Sequence, residues 1–330
     1  MKRITHGLLV QLCVLCLLPA LTEQASQAQQ KLKLHVGYLP VLAQLPLVIS
    51  YENDRKDLAK SRLELYKYTS FTALEAALRV GAIDVASLPI PIVLSIAADG
   101  RKIRIIGAMH HGGSRMVTKA KIGIEGLREK LIGVPGLDTN ENFRLSSILA
   151  QAGLREGMDY RTIRVSFTTV VEDFKREKLD ALYLPEPFGA IIEHNKLGFA
   201  LDVLNDKLAA DSNTVLVVRS EVRDKSLDAV EEWLNSVAKS CEFLEKDVKE
   251  SGARQTAILQ ARYFGFPEDI VTEALVQRKG NLQFGLFAAD LEEIKKIMNQ
   301  ASQIKMLTKS VNPAALLTQD EAGQAKGGKK

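Results

Sequence analysis

Apolar and polar positions along the chain predict strands and helices in alternation up to residue 218. Leu32, Leu34 and Val36 alternate with polar residues and predict a first strand. Helical spacing follows, then another strand pattern, and this order recurs. From Ser226 onward the spacing is helical in successive segments. The alternation predicts mostly parallel sheets, followed by a helical C-terminal third.

One helix, turn and strand pattern occurs twice. Residues 70–91 read SFTALEAALRVGAIDVASLPIP, and residues 166–187 read SFTTVVEDFKREKLDALYLPEP. Both copies begin Ser-Phe-Thr, both carry an aspartate at the same place (Asp84 and Asp180), and both close on Leu-Pro-x-Pro. Each copy starts with hydroxyl residues that suit a helix cap and ends in a short buried strand. We therefore predict two similar α/β halves that face each other across a cleft.

Composition places the chain among soluble globular proteins, because 46% of its 330 residues are hydrophobic and 25% are charged. This length allows two domains of ordinary size. The formal net charge of +4 is small, and lysine and arginine form no run before the last few residues, so nucleic-acid binding is not expected. The tail is rich in Gly, Ala, Gln and Lys and is expected to be disordered.

The N-terminus has the pattern of a secretory signal peptide. Lys2 and Arg3 precede an apolar run at residues 8–21, and Ser-Gln-Ala at residues 26–28 fits a cleavage site near Ala28. The run is short for a membrane span, although a membrane anchor is the alternative. Removal of this leader leaves Cys241 as the single cysteine, which excludes a disulfide framework and a cysteine-based zinc site.

Four motifs then carry a resemblance to a known family. They are VGYLP at 36–40, ALRVGAIDVA at 77–86, LIGV at 131–134 and LDALYLPEP at 179–187. In this order and spacing, over about residues 31 to 310, the chain resembles the periplasmic substrate-binding proteins of ABC importers. Within that class it resembles the branch that includes nitrate, sulfonate, taurine and thiamine-precursor binders.

The resemblance implies a type II periplasmic-binding-protein fold, in which two α/β domains are joined by a two-strand hinge and close around a ligand. By analogy, domain one comprises residues 29–117 and 217–312, and domain two comprises residues 118–216. A signal peptide at 1–28 precedes them and a disordered tail at 313–330 follows.

Candidate ligand-binding residues lie where strands end and helices begin, because ligands of open α/β sheets bind there. The candidates are Tyr38, Leu39, Pro40, Ser70, Phe71, Thr72, Ser87, Leu88, Pro89, His110, Arg115, Asp138, Thr139, Asn140, Tyr183 and Glu186. Each candidate also has a purely structural explanation. The hydroxyl and acidic residues can cap helices. Tyr38 can be a packing residue of the core, and so can Phe71, which occupies the same repeat position as Phe167.

Glu186 stands out because it lies between two prolines after a buried strand, where an unpaired charge is expensive. It either contacts a ligand or the hinge, or forms a salt bridge, for which Arg115 is a candidate partner. His110 and His111 together could bind a metal, but adjacent residues often point apart, so no metal is assigned.

The sequence has no nucleophile motif, phosphate-binding loop or zinc-protease motif, so neither enzyme activity nor a cofactor is expected. The predicted function is an exported receptor that captures a small molecule by domain closure and hands it to separate permease and ATPase subunits. Helix N-termini and Arg115 favour an anionic ligand such as a sulfonate or nitrate. The Glu186 carboxylate would repel an anion, so a pyrimidine-type precursor is a second candidate ligand. The alternatives are a dehydratase-like enzyme on the same fold, or a periplasmic accessory or sensor protein.

Overall fold

The computed structural model describes residues 31–202, 214–277 and 281–317. The predicted signal peptide and cleavage site lie outside these residues. Residues 313–317, at the start of the predicted tail, form a short 3-10 turn that buries Leu316 and pairs Leu317 with Ile105. The rest of that tail also lies outside the described residues. No helix in the described part of the chain is both long and apolar enough to cross a membrane.

The described residues form two layers of strands with helices packed on them. The strands are β1 (Leu32–Tyr38), β2 (Ser61–Lys67), β3 (Val85–Leu88), β4 (Ile103–His111), β5 (Ser114–Thr118), β6 (Leu131–Val134), β7 (Arg161–Arg164), β8 (Ala181–Pro185), β9 (Phe199–Ala200), β10 (Val215–Arg219) and β11 (Gln283–Phe287). The helices are α1 (Leu45–Asp54), α2 (Phe71–Val80), α3 (Ile90–Ala98), α4 (Asn140–Gln151), α5 (Val170–Lys175), α6 (Phe188–His194), α7 (Ser220–Lys225), α8 (Leu227–Ser251), α9 (Arg254–Ala261), α10 (Glu268–Gln277) and α11 (Leu291–Gln303).

The strands make two sheets, which confirms the predicted α/β class. The first sheet has the order β11-β4-β10-β3-β1-β2, and the second has the order β7-β6-β8-β5-β9. Pairs around β1 and β6 are parallel, whereas β10 and β5 run antiparallel to both of their neighbours. Most strands of each sheet therefore share one direction, as predicted, but β10 and β11 in the first sheet and β5 in the second run against their neighbours. The division into two domains with the boundaries given above stays a prediction.

The chain passes from the first sheet to the second at Gly112 and Gly113. Met109–His111 extend β4, and Ser114 already begins β5. Only the two glycines separate these strands, with φ of 63° and 97°. Glycine adopts such left-handed backbone angles without steric cost, so two residues suffice for the crossing. The helical C-terminal third also contains a strand, β11, which the helical spacing did not predict.

The sequence repeat is also a structural repeat. Asp84 accepts the His35 N–H and donates its own N–H to the His35 carbonyl, at 2.9 and 2.8 Å. Asp180 does the same with Leu131, at 2.9 and 3.0 Å. Each aspartate thus holds the start of its strand to the parallel strand beside it, which explains why both copies keep this residue.

A close approach of backbone and side chains is repeated as well. Gly37 and Gly133 lie 96 residues apart, as do Ser70 and Ser166. A Cβ on Gly37 would meet Ile83 at 2.4 Å, and a Cβ on Gly133 would lie 3.4 Å from Leu179, at the same repeat position, and 2.7 Å from Leu182. The duplicated unit therefore begins before the aligned segments, in the strands β1 and β6.

The core has three clusters of buried apolar side chains. One joins strands of the first sheet to α8, which supplies Trp233, and another joins strands of the second sheet to α4. The third cluster contains residues from the helices on both sheets, such as Ile90 of α3 and Phe188 of α6. This shared cluster packs the two sheets against one another, and it lies beside the candidate site.

Candidate functional site

A row of aromatic rings crosses from the first sheet to the second. The Phe71 ring, at the start of α2, meets the edge of Phe167 with 6.2 Å between ring centroids. Phe167 stacks on Phe188 at 5.1 Å, and Phe188 meets Phe266 at 5.9 Å. The row continues through Phe264 to Tyr38. Phe71 and Phe167, which share a repeat position, pack on each other here, and the row forms an apolar wall at the junction of the sheets.

Two hydrogen bonds also join the sheets, and both involve residues near helix N-termini. The Leu42 N–H donates to the Glu186 carbonyl at 2.8 Å. The Ile90 N–H, at the start of α3, donates to Asn140 Oδ1 at 2.9 Å. Asn140 is the first residue of α4 and is fully buried. The N-termini of α3 and α4 therefore meet at the junction.

Buried polar side chains from several elements gather near the Gly112–Gly113 crossing. His110 Nδ1 lies 3.0 Å from the Gly112 carbonyl, so this nitrogen carries the proton and donates it. His110 Nε2 then accepts from the Thr214 hydroxyl at 3.0 Å, and Thr214 Oγ1 lies 2.7 Å from Ser87 Oγ. Burial lowers the pKa of His110 to about 4, so its ring is neutral at pH 7. We call these residues, together with Ser114 and Glu141, the polar cluster.

Glu141 is the most demanding member of the polar cluster. Its side chain is buried, and Oε1 accepts a hydrogen bond from the Ser114 hydroxyl at 3.0 Å. Its Oε2 has no hydrogen-bond partner within the residues that the structure describes. Burial raises the pKa of the Glu141 carboxyl, and the residue's own N–H, the Ser114 hydroxyl, the Arg144 charge and the Thr139 hydroxyl oppose that rise. Ser114 directly follows Gly113, and a Cβ on Gly113 would lie 3.7 Å from His110 Nδ1, so Glu141 and His110 lie in the same neighbourhood.

Arg115 and Glu186 pair with each other, as the sequence allowed. Arg115 Nε donates to Glu186 Oε1 at 2.6 Å, and the guanidinium also contacts Glu193. Glu186 Oε2 accepts the Ala190 N–H at 3.1 Å. Burial raises the pKa of the Glu186 carboxyl, and the Arg115 charge opposes the rise. The side chains thus form a buried salt bridge inside the second sheet's layer, and a ligand contact for either stays a prediction.

Several other candidates lie apart from the polar cluster. Ser70 caps α2 by accepting the Ala73 N–H at 3.2 Å, while Thr72 is exposed. Asp138 faces Arg164 at 3.5 Å near the surface. Thr139 donates to the Gly136 carbonyl at 2.8 Å and makes no side-chain cap. Tyr183 is buried in the core between the second sheet and α4.

The remaining candidates lie close to the junction. Leu39 donates its N–H to the buried Gln44 side chain at 2.8 Å, and Gln44 in turn donates to the Ser87 carbonyl at 3.3 Å. Pro40 is half-buried, and Leu88 and Pro89 are buried beside Ser87. The structure therefore brings Ser87, His110 and Asn140 towards one place, and their ligand contacts stay predictions.

Sequence reasoning missed Glu141, Ser114 and Thr214. An acidic residue in the first turn of a helix has an ordinary explanation in the helix dipole, so Glu141 carried no special signal. The two histidines do not act together, because His110 binds Thr214 while His111 packs on the Phe287 ring at 4.0 Å. In the described parts of the chain, no group of three or more His, Cys, Asp or Glu side chains is placed to hold a metal ion.

The model of the NMT1-like family matches residues 27–259, well over half of the chain. The chain belongs to the NMT1-like family. The polar cluster and the repeat both lie entirely within the matched residues.

Solved structures share the fold. The ligand-binding component of an ABC-type import system from Staphylococcus aureus matches with a TM-score of 0.76 and 20% identity, over 89% of this chain and 99% of that chain. The periplasmic nitrate-binding protein NrtA from Synechocystis matches with a TM-score of 0.77 and 13% identity, over 90% of this chain and 89% of that chain. The periplasmic aliphatic sulphonate-binding protein SsuA from Escherichia coli matches with a TM-score of 0.70 and 13% identity, over 88% and 99%. The predicted periplasmic-binding-protein fold is confirmed.

Curated relatives include a longer protein. The bicarbonate transport ATP-binding protein CmpC from Synechococcus elongatus is 21% identical over 273 residues, which are 76% of this chain and 41% of that protein. A CmpC from a second Synechococcus strain matches equally. The chain therefore spans less than half the length of the curated relatives it matches.

Proposed function

We propose that the protein is an exported solute-binding receptor of an ABC importer. It captures one small molecule between its two sheets and delivers it to separate permease and ATPase subunits. The observation that carries this proposal is the polar cluster, whose buried Glu141 carboxyl has an unpartnered oxygen where the two sheets meet. Buried polar atoms are otherwise almost always paired, so such an oxygen indicates a partner that comes from outside the chain.

The contacts between the sheets fit a receptor that closes around its ligand. Arg144 on α4 pairs with Glu293 on α11 at 2.6 Å, and His194 on α6 lies 3.0 Å from Glu273 on α10. Together with the Ile90–Asn140 bond, these contacts are side-chain or single backbone interactions that a rigid-body motion can break and remake. The two-glycine crossing at 112–113 supplies a short flexible joint.

The names of the structural neighbours support a binding role over a catalytic one. They are described as binding proteins for nitrate and sulphonate, and CmpC as a bicarbonate transport protein. The signal-peptide pattern at the N-terminus supports export to the periplasm. A receptor without an ATP-binding loop of its own requires ATPase and permease partners.

A thermal unfolding panel tests the proposal. The chain from residue 29 is stripped of co-purified ligand and mixed with sulfonates, taurine, nitrate, bicarbonate, pyrimidine amines and aromatic carboxylates. A ligand at one hundred times its Kd adds about 2.7 kcal/mol to the free energy of unfolding. We expect one compound class to raise the melting temperature by several degrees and to be recovered unchanged. Conversion of that compound to a product, or no shift with any compound in a folded sample, would contradict the proposal.

A further inference from the structure

We propose that Glu141 is a ligand-binding residue whose Oε2 accepts a hydrogen bond from an N–H group of a small organic ligand, such as an amine, amidine or amide. The inference rests on the proposed receptor function and deepens it, because it assigns a residue and a class of ligand. It disfavours, as the ligand at this position, an inorganic anion that has no hydrogen-bond donor.

The Glu141 carboxyl is buried, and only one of its two oxygens has a hydrogen-bond partner among the described residues. Glu141 is the second residue of α4 and is only 1% exposed. Its Oε1 is satisfied by the Ser114 hydroxyl at 3.0 Å, whereas Oε2 has no partner among the described residues. A buried carboxyl oxygen without a hydrogen bond is destabilising, so a protein retains one where an outside group completes it.

Hydrogen-bond donors near Glu141 already donate to other acceptors. The Arg144 guanidinium, one turn further along α4, donates to Glu293 at 2.6 Å. The Thr214 hydroxyl donates to His110 Nε2, and the His110 Nδ1–H donates to the Gly112 carbonyl. Among the described residues, the nearby side chains therefore leave the second carboxyl oxygen for a donor that arrives with the ligand.

A second buried acceptor without a partner lies in the same turn of α4. Asn142 Oδ1 is also buried without a hydrogen bond in the described part of the chain, while Asn142 Nδ2 donates to the Leu137 carbonyl at 3.1 Å. The first turn of α4 thus has two buried acceptors that await donors. Two acceptors favour a ligand that carries hydrogen-bond donors and disfavour nitrate or a simple sulfonate, which are acceptors only.

Electrostatics agrees with this geometry. Burial raises the pKa of the Glu141 carboxyl, so the cost of burying the ionised form outweighs the partners that the described residues give it. A cationic or strongly donating N–H group would supply the missing stabilisation. The aromatic row from Phe71 to Phe188 provides an apolar wall at the same junction for the rest of an organic molecule.

The substitution Glu141→Gln tests the inference. Glutamine keeps the length of the side chain but replaces one acceptor oxygen with an NH2 donor, which opposes a ligand N–H. The probes are an aminopyrimidine, benzamidine and taurine as N–H donors, and nitrate and methanesulfonate as donor-free anions. For an N–H probe that binds the wild type, we expect E141Q to weaken Kd by about 10- to 100-fold, the range for a hydrogen bond to a charged group.

A matched control and an independent readout separate binding from folding. Glu172→Gln makes the same chemical change on α5, where the carboxylate is 60% exposed and lies 4.0 Å from Lys175, and Kd should stay within about twofold. Ligand-free E141Q should unfold at the same or a higher temperature than the wild type, because a buried charge is removed. Loss of binding with retained stability supports the ligand role.

Other outcomes overturn the inference. Equal affinity of E141Q and wild type for an N–H probe would mean that Oε2 binds only water. Saturable binding of nitrate or methanesulfonate, undiminished or tighter in E141Q, would also overturn it but would leave the receptor function standing. Failure of every probe to bind the folded wild type would count against both the inference and the receptor function.

Discussion

The substitution Arg115→Met tests whether the Arg115–Glu186 pair is structural. Arg115 is 2% exposed and Glu186 is 1% exposed, and Glu193 contacts the same guanidinium. Methionine fills much of the arginine volume but leaves two carboxylates without their cation. Removal of one partner from a buried ion pair costs about 3–5 kcal/mol, so we expect a loss of that order in the free energy of unfolding.

A second substitution should recover part of this loss. In the double variant Arg115→Met, Glu186→Gln, no unpaired charge remains at position 186. The glutamine carbonyl oxygen can still accept the Ala190 N–H, which now lies 3.1 Å from Glu186 Oε2. We expect the double variant to be more stable than R115M alone, with a coupling energy of at least about 1 kcal/mol between the two positions.

The assay is urea unfolding at pH 7, followed by circular dichroism. Arg164→Met is the matched control, because Arg164 meets Asp138 at 3.5 Å near the surface and its pair should contribute less than about 1 kcal/mol. The reasoning would be refuted if R115M unfolded like the control while ligand affinity collapsed. That result would make Arg115 a ligand residue, as the strand-end position in the sequence predicted.

Contacts of His110, Asp84 and Glu293 should also have measurable effects on stability or binding. Because burial lowers the pKa of His110 to about 4, its folded state resists protonation, so stability is fully present above the unfolded pKa near 6.5 and falls as pH drops. Urea unfolding at several pH values should therefore show the wild type losing about 3 kcal/mol relative to H110N between pH 7 and pH 4, whereas parallel curves would contradict this. Asp84→Ala should cost more stability than Asp180→Ala, by about 1 kcal/mol in urea unfolding, because Asp84 is buried while the Asp180 side chain is 42% exposed; equal losses would be against it. Glu293→Gln should weaken ligand affinity several-fold in a calorimetric titration, because it loosens the 2.6 Å contact with Arg144 across the junction; unchanged Kd would mean that the contact is independent of closure.

Local patterns in the sequence carried much of the fold. The spacing of apolar residues predicted β1 from Leu32, Leu34 and Val36 and the helices after Ser226, and the repeat predicted two similar halves. Those features depend on neighbours in the sequence, which a pattern records. The antiparallel placement of β5 and β10 depends on which strands lie side by side after the chain crosses between sheets, and no local pattern records that choice.

The site was predicted less well for a related reason. Strand ends and helix starts led to Ser87, His110 and Asn140, which the structure places at the junction. The same rule included Tyr183, which the structure buries in the core instead, because a strand end can face either side of its sheet. It missed Glu141, whose significance lies in an unpartnered oxygen that only the three-dimensional arrangement reveals.

The measurement that tests the central claim most directly is the distance across the junction with and without ligand. Thr72 and Thr168 are exposed and adjoin the Phe71–Phe167 contact, so cysteine substitutions there can carry spin labels while Cys241 stays buried. Pulsed dipolar spectroscopy on the chain from residue 29 would use the compound that stabilises it in the thermal panel. A receptor that closes around its ligand should show one short, narrow distance distribution with the compound and a longer, broader one without it. Identical distributions in the two samples, at saturating compound, would contradict capture by closure.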